Sequence, residues 1–206
     1  MQKQTIWLLT CLVCATVLLY FVFQIGLATW VRDQSVYVAS SLDKERRLEQ
    51  IPGKRLVLVG GSGLAMGLQS AYLQKITNRP VVNMGLHAAL GLPFMLREAL
   101  SGIRPGDTVI LCPEYELTSG DPRLLSQLVD VNPKAYSFLN LTVSDHIRLR
   151  VQNMQRCLMA GFYKVTGLTK VDPIYNRQNF NKEGDVQGHY GLQAQQKLSD
   201  LVKIKN

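Results

Sequence analysis

Residues 54–76 read KRLVLVGGSGLAMGLQSAYLQKI. Arg55 to Val59 is a short, uninterrupted apolar run rich in β-branched and leucyl residues, the pattern of a strand buried on both faces. Gly60 and Gly61 break it, Ser62 follows, and a helical pattern opens at Gly63. Leu64, Leu68, Ala71, Tyr72 and Ile76 then recur at the spacing of one helical stripe. Ser62 therefore falls in a tight strand-to-helix turn, where glycines allow backbone shapes that other residues resist. At the carboxyl end of a strand, a serine hydroxyl and free helix N–H groups face the same space. A nucleophile or a phosphate-binding loop would use these parts, and so would a plain connection with Ser62 as helix N-cap.

Two further strand ends follow. Pro80-Val-Val-Asn83 is a second short strand running into Met84-Gly85-Leu86-His87-Ala88, and Pro93 suits the first turn of a helix over 93–101. Arg104-Pro-Gly-Asp107 is a turn, and Thr108 to Cys112 is a third strand of the buried type. Pro113 stops it, leaving Glu114-Tyr115-Glu116 just beyond. Alternating strands and helices predict βαβ units and a parallel sheet. Asp121-Pro122 is an N-cap with proline at the first helical position, and a longer helix spans Ser144 to about Val165. Its apolar face is Ile147, Val151, Met154, Leu158, Phe162 and Val165. Residues 171–190 read as loop, and Leu192 to Ile204 as a terminal helix. No strand of comparable quality follows Cys112, so the sheet is short for this architecture.

Upstream, no charged residue occurs from Gln4 to Val31. A helix needs about 20 apolar residues to cross a bilayer core, whereas a signal-peptide core is about 7–15 long. No small-x-small cleavage site ends the run, and Trp7 and Trp30 stand near its ends as interface anchors. The expected organisation is a short cytoplasmic end (1–4), a transmembrane signal-anchor (5–31), a stalk (32–53) with some helix near 41–50, and an α/β domain (54–206). The chain has 206 residues and a formal charge of +8, but its cations are scattered and no aromatic–basic interleaving accompanies them. That argues for a basic surface near anionic lipid or envelope polymer, and against nucleic acid. Four cysteines, two of them inside the apolar run, form neither a disulfide framework nor a metal-ligand spacing. The Gly-rich turn also lacks the Lys-Ser/Thr of a P-loop and the spacing of a dinucleotide fold, so neither metal nor cofactor is expected.

GGSGLAMGLQS (60–70), VVNMGLHAALGLPFML (81–96) and IRPGDTVILCPEYE (103–116) together resemble the amino-terminal half of bacterial membrane-anchored SGNH (GDSL-like) hydrolases. The resemblance implies a partial flavodoxin-like, three-layer α/β sandwich with a short parallel sheet, behind one transmembrane helix. It also implies a chain that lacks the later strands, and an amino terminus in the cytoplasm with the body outside. Ser62 falls on the family's nucleophile, although Gly61 stands where the family carries aspartate. The backbone N–H groups of Ser62 and of Gly85 or Ala88 would form the oxyanion hole, with Asn83, His87 and Glu114 lining the substrate. The family's third block supplies an asparagine to that hole, and Cys112-Pro113-Glu114 stands in its place. The base and its orienting carboxylate, an Asp-x-x-His pair in the family, would be His189 and Asp185, one residue too far apart. His146, beside Asp145 at a helix start, reads as solvated. Two functions follow from the resemblance. One is an esterase or acyltransferase acting on acyl esters of envelope polymers, alone or with a membrane acyl-transfer partner. The other is a non-catalytic membrane protein that binds envelope polysaccharide or another protein.

Overall fold

The structure, a computed structural model, describes residues 2–114, 120–168 and 172–188. Helix α1 (Gln2–Val22) continues through a π-helical segment (Phe23–Leu27) into α2 (Ala28–Val31). Lys3–Val31 is long and apolar enough to cross a membrane. Its large side chains from Ile6 to Val22 are exposed on every side, as suits a helix surrounded by lipid.

The chain then forms a 3-10 turn (Tyr37–Ser40) and α3 (Ser41–Gln50). The sequence reads as a stalk here, yet Tyr37, Val38, Ala39 and Leu48 belong to the main core, and Lys44 and Glu45 are buried with them. The polar composition misled because these charges find partners: Asn132 Nδ2 donates to Glu45 at 2.6 Å, and Lys44 donates to two backbone carbonyls. Next come β1 (Leu56–Gly60), α4 (Ser62–Gly67), α5 (Ser70–Thr77), β2 (Val81–Asn83), α6 (Leu92–Leu100) and β3 (Thr108–Cys112). They are followed by α7 (Pro122–Val131), a 3-10 stretch (Pro133–Phe138) and α8 (Val143–Thr166).

The three strands form one parallel sheet in the order β2-β1-β3. Central β1 is buried on both faces. Val57 and Val59 enter the main core with α6 and α7 residues, while Leu56 and Leu58 pack with Leu64 and Val81 in a smaller cluster. The start of the sheet is tied by Arg55 and Asp107, whose side chains are both fully buried. Asp107 accepts from the backbone N–H of Arg55 and of Arg104, and from the Arg55 guanidinium, which also reaches Gly102 O at 2.8 Å. That cation holds the Asp107 carboxyl far below the usual carboxylate range.

Three expectations need correction. β3 reads as a buried strand, but Val109, Ile110 and Leu111 are each at least 40% exposed, because among the described residues no strand pairs its outer edge. The stripe from Leu64 to Ile76 is two helices, not one. Leu68 is extended, and α5 restarts where Asp185 accepts from the Ser70 N–H at 2.7 Å; Tyr72 and Ile76 are left exposed. On α8 the apolar stripe points outward, and the helix packs through Leu149, Asn153, Cys157 and Gly161 instead. Small residues there permit close approach: a Cβ on Gly161 would lie 3.2 Å from Leu27 Cδ1.

Candidate functional site

The carboxyl ends of the three strands converge on the Gly60–Gly63 turn. Gly60 runs alongside β3 so closely that a Cβ would lie 2.6 Å from Cys112 O. Gly61 then leaves the strand in an extended conformation and caps α4, which begins at Ser62. Ser62 is half-exposed, and among the described residues its hydroxyl makes no hydrogen bond. Glu114, just past β3, folds over this turn: its Oε1 accepts from Gly63 N at 2.9 Å, and a Cβ on Gly61 would collide with its carboxylate. Any side chain at position 61 would meet that carboxylate, so Gly61 and Glu114 suit each other sterically. An ionised carboxylate accepts hydrogen bonds and donates none. Glu114 therefore occupies the Gly63 N–H with an acceptor and offers no donor of its own to the turn.

At the end of β2, Asn83 is fully buried. Its Oδ1 accepts from Gly85 N at 2.8 Å, and its Nδ2 donates to Asp185 Oδ1 at 2.8 Å. The Gly85 N–H is thus taken up inside the loop. Ala88 opens a short 3-10 turn (Ala88–Leu90) capped by His87, whose Nδ1 accepts from Ala89 N at 3.1 Å.

Asp185 is almost fully buried and belongs to the same knot. It accepts from the Ser70 N–H and hydroxyl, from Asn83 Nδ2 and, at 3.2 Å, from Asn181 Nδ2. Both carboxylate oxygens are occupied by donors of the fold. Lys44 closes the other side, donating to Asn83 O at 2.8 Å and Gly184 O at 2.6 Å with its ammonium over the Phe180 ring. Burial lowers the Lys44 pKa to about 7, against the opposing pull of Asp185 and Glu98. Gly184 has φ +99°, and a Cβ there would strike Asn83 O, so this corner requires glycine. His189 lies outside the described residues, as do Tyr115, Glu116 and the expected terminal helix over 192–204.

His87 faces a cleft of about 460 Å³ lined by Asp33, Tyr37, Asp172, Tyr175 and Asn176 among others, and it borders a second cleft near Asp121, Arg123 and Arg156. Tyr37 forms the wall between this cleft and the core. Its hydroxyl donates to Leu86 O at 2.8 Å, and its ring meets His87, Tyr175 and Phe180. Burial, with Tyr175 and Glu114 nearby, raises the Tyr37 pKa well above its ordinary value. Sequence reasoning missed Tyr37, although Val36-Tyr37-Val38 is the only apolar patch in the polar stretch after the first helix. His146, the other described histidine, stacks on Tyr136 at the start of α8, away from this group.

Ser62, Glu114, Asn83, Gly85 and His87 are thus gathered around the strand ends, whereas Asp185 serves the loop knot. No group of His, Cys, Asp and Glu among the described residues has the arrangement of a metal site. No family model matches the chain, and neither a curated protein nor a solved structure matches it at a significant level.

Proposed function

We propose that the chain is a membrane-anchored, SGNH-like α/β domain that has kept the family's serine turn without its acyl-transfer chemistry, and that it acts by binding at the membrane surface. The strand order β2-β1-β3 supports the descent, being the first three strands of a flavodoxin-like 2-1-3-4-5 sheet. The single observation that carries the loss of chemistry is the Glu114 carboxylate on Gly63 N. A tetrahedral oxyanion beside Ser62 would meet a like charge where the family offers an asparagine donor. Losing one such donor costs about 100–1,000-fold in turnover, before any repulsion is counted. The bound partner is envelope polysaccharide or a membrane protein, with the amino terminus cytoplasmic and the body outside.

The second reading is a serine esterase or acyltransferase on acyl esters of envelope polymers. It is favoured by the half-exposed Ser62 at a strand-to-helix turn, and it would need His189 as base. A fluorophosphonate probe separates the two. The binding reading expects equal labelling of the wild-type chain and of Ser62→Ala. Labelling of wild type that Ser62→Ala abolishes would overturn it in favour of the esterase.

A further inference from the structure

Helix α8 carries two different surfaces along its length. Its first half, Val143 to Arg156, holds Asp145, Arg148, Arg150 and Arg156. From Cys157 to Leu168 the only charged side chain is Lys164. Yet this second half is open on most sides: Leu158, Met159, Phe162, Val165 and Leu168 are all more than half exposed. A helix end that is apolar nearly all round belongs in a core or in lipid. No described part of the chain covers it.

Its position says which. Asp130 of α7 pairs with Arg32, just past α2, and with Arg156 of α8, holding the two helices together at that level. Along α8 from there, Cys157 packs with Ala28 and Val31, Gly161 lies against Leu27 with Trp30 and Val31 slightly farther off, and Ala160 joins a cluster that reaches back to Phe23. Later residues of α8 therefore meet earlier residues of the membrane-length helix, and the two descend side by side in opposite directions. The one cation on this half does not disturb the descent. Lys164 Nζ reaches Trp30 O at 2.8 Å and lies 4.9 Å from the centre of the Trp30 ring, back toward the end of α2. Long cationic side chains at a membrane boundary behave in this way, stem in the apolar layer and ammonium at its rim beside an interfacial tryptophan. The 29-residue helix Lys3–Val31 is about 43 Å long, against roughly 30 Å of hydrocarbon, so its last turns lie near the interface where α8 meets them.

We infer that the second half of α8 is a membrane-embedded element: Leu158, Phe162 and Val165, with Leu168 just past the helix end, enter the outer acyl layer beside the N-terminal helix, so that the domain sits against the bilayer and does not swing from a single tether. The occupant of this apolar face is lipid acyl chain. The inference rests on the N-terminal helix spanning the membrane.

The experiment uses the full chain in phosphatidylcholine–phosphatidylglycerol vesicles, with the four cysteines changed to alanine and single nitroxide labels introduced by Val13→Cys, Ile147→Cys, Phe162→Cys and Val165→Cys. Collision with oxygen, which concentrates in lipid, is compared with collision with a water-soluble nickel chelate. The expected result is an oxygen-to-nickel ratio several-fold higher at 162 and 165 than at 147, approaching that at 13. A lipid-like ratio at 13 with water-like ratios at 162 and 165 would overturn the inference and leave the anchor intact. Shielding of 162 and 165 from both reagents would overturn it in favour of a protein partner. A water-like ratio at 13 would overturn the anchor and this inference together.

Discussion

Asp185→Ala tests whether this carboxylate holds the fold or orients a catalytic histidine. In the wild type it accepts from four donors. On its removal Asn181, at the loop surface, can turn to water, and the Ser70 hydroxyl can rotate. The Ser70 N–H and the Asn83 Nδ2–H aimed at Asp185 have no such escape, because both residues are fully buried and Asn83 Nδ2 keeps only a 3.4 Å bond to Leu64 O. Each orphaned buried donor costs about 1–3 kcal/mol, so the variant should lose roughly 2–6 kcal/mol. Lys44 would also lose a favourable charge, which works in the same direction. Against a typical total of about 5–15 kcal/mol this is a large fraction. At about 2–4 °C per kcal/mol for a chain of this size, Tm should fall by roughly 4–24 °C. Urea and thermal unfolding of the full chain in detergent micelles, followed by circular dichroism, measure it. Asp185→Asn, which keeps the shape and one acceptor oxygen, should lose less. A variant within about 0.5 kcal/mol of wild type would refute the structural role, since that is the scale of an uninvolved surface change. A purely catalytic aspartate would show the opposite pattern, with lost activity and an unmoved unfolding midpoint.

Other perturbations bear on the same frame. Asp107→Ala strands the fully buried Arg55 guanidinium and should cost about 3–5 kcal/mol in urea unfolding, whereas a surface ion pair would cost 1 kcal/mol or less. Because the Asp107 carboxyl is held below its unfolded value, its contribution is complete above about pH 4 and is lost as pH falls further; unfolding of Asp107→Ala should lack that acid slope. Glu98 is buried, and desolvation raises its pKa to about 8. The native state therefore holds its proton where the unfolded chain releases it, and stability from this group declines as pH rises from about 4.5 to 8. Glu98→Gln should flatten that decline and be the more stable protein at pH 8, as read from urea midpoints across the range. Gly184→Ala, at φ +99° and against Asn83 O, should be destabilised by more than about 1 kcal/mol, whereas Gly53→Ala, at φ +79° in open space, should lose only the conformational part. Equal losses in a common melting assay would argue against the close approach.

Local chemistry made much of the frame legible. Runs of β-branched residues broken by glycine or proline located all three strands, and Asp121-Pro122 marked the start of α7, where Asp121 accepts from Arg123 N and Leu124 N. The site was legible only in part. Ser62 is read from the strand-to-helix turn, and Asn83 and Glu114 from the resemblance, but no spacing rule reveals that Glu114 folds back onto Gly63 or that Asp185 saturates itself on Ser70 and Asn83. Those contacts span 51, 115 and 102 residues of chain.

The membrane-length apolar helix, the parallel strand–helix alternation and the serine turn are legible along the chain, set by side-chain period and backbone preference over a few residues. Only the tertiary structure decided what each apolar or charged face meets. It buried Tyr37 and Lys44 from a stretch that reads as a stalk, left β3 at an edge among the described residues, and turned the apolar stripe of α8 outward. Periodicity records which side of an element avoids water, whereas its covering is chosen by partners far away in the chain, as Tyr37 and Leu86 are for each other.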